Sequence, residues 1–158
     1  MPGHLGEPPK CSIQKFETYE ADGVIFIASG QPDAAPYTHV MSGKPAVQRL
    51  IKGQANATLT NAAENVLDAT HTHFTHKMLL RGLTSRRYQV NVEVTGGPGW
   101  VEVTYIGEEK QTGLVSAFLD GSRTKGVGRY RHPGIAELEY WEPKGLVLST
   151  TFHMRQTT

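Results

Sequence analysis

Cysteine occurs once, at Cys11, in a chain of 158 residues. A single thiol excludes an intrachain disulfide framework, a cysteine-based zinc finger and an intrachain iron–sulfur cluster. A metal held by this chain must therefore be held by histidine and carboxylate. Neither sign of charge is in excess: sixteen Lys and Arg against fifteen Asp and Glu leave a formal net charge of +1. No basic field points to nucleic acid, and no acidic run reads as a tail. Long apolar runs are also missing. The longest, VIFIA at residues 24–28, is far too short to span a bilayer. The opening MPGHLGEPPK lacks the apolar centre of a signal peptide and reads, through residue 11, as a flexible lead-in. These absences predict a cytoplasmic protein without a membrane or nucleic-acid partner.

The remaining composition is that of one globular domain over residues 12–158, with 38% hydrophobic and 20% charged residues. Two strands, SIQKFETYE (12–20) and GVIFIASG (23–30), flank Ala21-Asp22, and Asp22-Gly23 is a hairpin signal. QPDAAPY (31–37) follows as loop. Pro45 can open a short helix over residues 46–55, with Val47, Leu50 and Ile51 on one side and Gly53 weakening its end. Thr60 or Asn61 can cap a second helix through Ala62, Ala63, Val66, Leu67 and Ala69. From Met78 the pattern turns to β, with strands expected at residues 78–83, 88–94, 100–106, 113–119, 135–141 and 146–154. The breaks at GGPG (96–99), DGS (120–122), HPG (132–134) and EPKG (142–145) are short, so neighbours should pair antiparallel. The plan is hairpin, helical stretch, meander. It predicts an α+β fold in which a sheet wraps helices around an apolar hollow. Trp100, Trp141, Phe118, Tyr105 and Tyr140 read as core, and Arg86-Arg87 and Arg129-Arg131 as solvated charges.

Three of the seven histidines lie in ENVLDATHTHFTH, residues 64–76, with Glu64, Asn65 and Asp68 just before them. Neutral imidazole beside carboxylate suits Zn or Fe, and equally suits solvated helix positions. On a straight helix Asp68 and His71 share a face, as do His73 and His76. His71 and His76, five apart, are splayed by roughly 140° by the helical repeat. As a strand, His71 and His73 would share a face instead. Periodicity leaves these pairings open.

The order N-x2-D-x2-H-x4-H, formed by Asn65, Asp68, His71 and His76 behind Glu64, resembles the iron motif of Rieske non-haem iron oxygenase catalytic subunits. The segments KFETYEADGVIFIASGQPDAAPY (15–37) and PGIAELEYWEPKGLVLSTTFHM (133–154) are similar to that family's entry hairpin and last long strands. The resemblance implies a helix-grip catalytic domain of the START or Bet v 1 type. It implies Fe(II) on His71 and His76, with Asp68 as the acid that bridges to the cluster of a neighbouring subunit. Asn65 would lie close to the iron, and His73 has no counterpart role. It further implies O2 and a small apolar or aromatic substrate, hydroxylated, dealkylated or converted to a cis-diol. Electrons would come from a Rieske-domain protein, or a ferredoxin and reductase, and the assembly would be a homo-oligomer, a trimer by resemblance.

The chain departs from the family pattern twice. A [2Fe–2S] centre needs two Cys and two His, so it must sit on a separate chain or a missing domain. The sequence also stops at FHMRQTT, about where the family continues to its third, carboxylate ligand, and nothing aligns Glu108, Glu109 or Asp120 with that role. The expectation is a partial catalytic domain, a split subunit or a degenerate relative. Two rival functions stand beside it: a helix-grip carrier of a hydrophobic ligand, and a zinc site on His71, His73 and His76.

Overall fold

Asp22 and Gly23 both take positive φ, 52° and 77°, as a two-residue turn between right-twisted strands requires. They join β1 (Glu17–Ala21) to β2 (Val24–Ala28) in an antiparallel hairpin whose register runs from Glu17↔Ala28 to Ala21↔Val24. The Ser42 hydroxyl donates to Asp22 Oδ1 at 3.2 Å, tying the following segment to the turn. This hairpin was legible from its turn residues alone.

The computed structural model describes residues 5–7, 12–31, 37–68, 75, 89–107 and 123–157. The chain divides into two compact units, Met1–Ala46 and Val47–Thr158, the first holding the hairpin. The strands expected at residues 78–83 and 113–119 lie outside the described residues, as do Cys11, Arg86, Arg87 and Phe118.

No helix forms at residues 46–55, and this corrects the sequence reading: the segment has no regular structure, with Val47 94% and Ile51 87% exposed. A ten-residue helix gains too little from its own hydrogen bonds to form without a surface for its apolar side, and Gly53 weakens it further.

The second unit carries β3 (Asn91–Gly97), β4 (Trp100–Ile106), β5 (Lys125–Arg131), β6 (Ile135–Glu142) and β7 (Gly145–His153). They form one five-stranded antiparallel meander in chain order. β3 extends through both glycines expected to break it, because Pro98-Gly99 alone makes the turn, with Gly99 at φ 76°. β5 is a strand where none was expected. Its sequence KGVGRYR puts Gly126, Gly128 and Tyr130 on one face and Lys125, Val127, Arg129 and Arg131 on the other, and Gly128 suits a strand closely approached by another element. Register rows place Val103, Gly128, Leu138 and Thr150 together on one face, and Tyr105, Gly126, Tyr140 and Leu148 in the next row of that face.

One helix, α1 (Leu59–Leu67), lies on this face. Leu59, Ala62, Ala63, Val66 and Leu67 recur at the helical period and are turned inward, while Thr60, Asn61, Glu64 and Asn65 are exposed. A Cβ on Gly128 would meet Leu67 Cδ2 at 3.4 Å, and one on Gly134 would meet Leu59 Cδ1 at 3.6 Å. The helix therefore runs from the β5–β6 turn to the middle of β5. The fully buried Ala136 and the glycines of β5 give it room to approach. Thr58, not Thr60 or Asn61, is the N-cap: its backbone is extended and its Oγ1 accepts from the Asn61 amide at 3.2 Å. Starting one turn earlier brings Leu59 onto the apolar stripe.

The result is an α+β arrangement dominated by antiparallel sheet, with a short helix on one face of the larger sheet. Among the described residues no helix is long and apolar enough to cross a membrane.

Candidate functional site

The helix ends where the sequence becomes chemically dense. Leu67 is its last residue, and Asp68 leaves in an extended conformation, φ −74° and ψ 97°, while its amide still donates to Glu64 O at 2.9 Å. A poor helix former with a competing side chain suits this cap. Asn65, one turn earlier, and Glu64 are both exposed on the side of α1 away from the sheet. Asp68 thus occupies a turning point and not the interior of a helix continuing through Ala69. The histidines His71, His73 and His76 lie outside the described residues, as do Glu108, Glu109 and Asp120. Thr75, described by itself, is helical. Among the described residues no three His, Cys, Asp or Glu side chains converge as metal ligands.

What surrounds the helix end is defined by the sheet. Tyr105 of β4 points its hydroxyl to Leu67 O, 3.5 Å away. In the same row Gly126 separates Tyr105 from Tyr140, and the Arg123 guanidinium lies 3.9 Å over the Tyr140 ring. A cation on an aromatic face is held by the ring quadrupole, so Arg123 helps fix that ring. Tyr105 thus borders the helix end, and Tyr140, with Arg123 over its ring, lies two strands away on the same face.

The opposite face holds a feature that sequence reasoning missed. Arg129 Nη1 lies 3.2 Å from Glu137 Oε2 and 3.0 Å from Glu139 Oε1, and Arg131 Nε lies 3.1 Å from Glu137 Oε2. Glu102 completes the group on β4, and Trp141 Nε1 donates to Glu139 Oε2 at 2.9 Å. Glu137 and Glu139 are 2% and 3% exposed, so Arg129 is an ion-paired centre and not the solvated charge expected. Burial works to lower its pKa, and the bonds to Glu102, Glu139 and Glu137 outweigh this and raise it. Glu102, Arg129 and Glu137 share one cross-strand row, which becomes visible only once the register of three strands is known. The group sits behind the sheet from α1, and its chemistry is that of a support: it pins β4, β5 and β6 beneath the helix.

No known family profile matches this chain, and no curated protein or solved structure is detectably similar to it.

Proposed function

We propose that this chain is the catalytic domain, or part of one, of a Rieske-type non-haem iron oxygenase, built as a helix-grip fold. The observation that carries the reading is the position of Asn65 and Asp68, in the last turn and at the cap of a helix on an antiparallel sheet, directly before His71 and His76. The donor set fits the metal: imidazole nitrogens and carboxylate oxygens suit Fe(II), and one cysteine leaves no thiolate site to compete.

His71 and His76 would hold the ion through ring nitrogens, with a carboxylate or water completing the set. Bound Fe(II) would supply oxygen activation for hydroxylation, dealkylation or cis-dihydroxylation of a small apolar or aromatic substrate. Asp68 would accept the outward N–H of the His71 imidazole, fixing the tautomer and leaving the other nitrogen to ligate. The same carboxylate marks where an electron from a Rieske-domain partner enters across a subunit boundary. Asn65, on the same side of the helix as Asp68, supplies an amide beside the ligands. The face of the sheet that carries Tyr105 and Tyr140 would form one wall for the substrate.

Anaerobic loading with Fe(II) and, in a separate sample, with Zn(II), each followed by desalting and metal analysis, tests the reading. Retention of iron near one equivalent supports it. Retention of zinc alone favours a His71–His73–His76 zinc site, and retention of neither metal favours a carrier. Either of these last results overturns the proposal.

A further inference from the structure

The end of α1 is held from two directions at a single residue. Below, the Leu67 side chain sits 3.4 Å from where a Cβ on Gly128 would be, so the absence of a side chain on β5 forms its seat. Beside it, the Tyr105 hydroxyl reaches the Leu67 carbonyl at 3.5 Å, the outer limit of a hydrogen bond. The last four carbonyls of a helix have no partner within it, and a hydroxyl donated from a neighbouring strand satisfies one of them. Leu67 is the last helical residue, Asp68 follows it, and its amide closes the final turn on Glu64. The exit of the chain is therefore held by the sheet as well as by the last hydrogen bond of the helix.

We infer that Tyr105 is a positioning residue: with Gly128 it clamps Leu67, sets the direction in which Asp68 leaves α1, and so tunes the affinity of the metal ligands that follow. The clamp is drawn from Tyr105, Gly128, Leu67 and Asp68. Its link to metal affinity rests on the oxygenase reading above, in which His71 and His76 ligate iron. Partners hydrogen-bonded directly to a ligand change metal affinity about 10- to 100-fold when removed, and Tyr105, acting through Leu67 and Asp68, should fall at the lower end of that range.

The experiment uses the full chain and three variants, Tyr105→Phe, Gly128→Ala and Thr58→Ala. Two readouts are taken: hydrogen exchange at the Asp68 amide without metal, and anaerobic Fe(II) affinity by chelator competition. Tyr105→Phe keeps the ring and removes only the donor. It should speed Asp68 exchange and weaken Fe(II) binding about tenfold, and Gly128→Ala should act in the same direction by lifting Leu67. Thr58→Ala loosens the far end of the same helix and should leave both readouts close to wild type. Unchanged Asp68 exchange in Tyr105→Phe overturns the clamp itself. Equal weakening of Fe(II) binding by Thr58→Ala also overturns it, since affinity would then follow general helix stability. If the wild-type chain binds no Fe(II), the oxygenase reading and the link to affinity fall together, while the exchange data still decide whether the clamp exists.

Discussion

Nε and Nη2 of Arg129 both lie 2.6 Å from the same carboxylate oxygen of Glu102, Oε2. With Nη1 turned to Glu137 and Glu139, one guanidinium engages three acids on the two strands flanking its own. A planar fork with five donors can do this, whereas a lysine ammonium cannot meet the same geometry.

Removing that cation leaves two buried carboxylates without their main counter-charge. Arg129→Met is expected to destabilise the second unit by about 3–5 kcal/mol, the usual cost of breaking a buried ion pair from one side. Arg129→Lys should recover only part of the loss. Chemical denaturation followed by circular dichroism measures both, and a change below about 1 kcal/mol for Arg129→Met would contradict the role given to the network.

The Arg129 pKa is raised on folding, so its contribution to stability is fully present below the unfolded value and is lost only as pH rises through the higher folded one. An arginine titrates above about 12 even when unperturbed. The stability difference between wild type and Arg129→Met should therefore not shrink between about pH 7 and pH 10, because Arg129 stays charged throughout. A difference that shrinks across that range would mean a different group carries the charge.

Gly134 closes the β5–β6 turn, and its carbonyl accepts from the Met154 amide at 2.8 Å. A Cβ at this position would collide with the Met154 carbonyl oxygen, which is backbone and cannot step aside cheaply. Gly134→Ala should cost about 1–3 kcal/mol, the range for overpacking a tight site. A thermal melt of the variant that overlays the wild type would show that the end of β7 is not seated on this turn.

At the other end of α1, Thr58→Ala removes the side-chain acceptor for the Asn61 amide. A loss of about 1 kcal/mol is expected, and Thr58→Ser should keep most of the stability. If Thr60→Ala or Asn61→Ala costs more than Thr58→Ala, the helix begins later than Leu59.

The sequence was most readable where one residue type forces one local geometry. Asp22-Gly23 announced its turn because both positions take positive φ, and β4 runs over the residues that its alternation indicated, Trp100–Ile106. β5 was missed because Gly126 and Gly128 look like breaks when read locally. Gly128 is needed because Leu67 of α1 packs against where its Cβ would be, which is a tertiary fact. The ionic row Glu102–Arg129–Glu137 was missed for a related reason: its members come together through register. The segment around Val47, Leu50 and Ile51 failed in the opposite sense, since helical spacing without a surface to cover does not make a helix. At the candidate site, the motif spacing singled out Asn65 and Asp68. The end of α1 at Leu67 was not legible from spacing, and the groups that meet Leu67, Tyr105 and Gly128, are distant in sequence.

The central proposal is that His71 and His76 together hold one ferrous ion. Its most direct test is iron content per chain after anaerobic reconstitution, for wild type and for the double variant His71→Ala/His76→Ala, with unfolding of the metal-free proteins as control. The account predicts about one iron in the wild type, essentially none in the variant, and matching unfolding curves, as loss of two ligands from an N/O site requires. Equal iron in both proteins would contradict it.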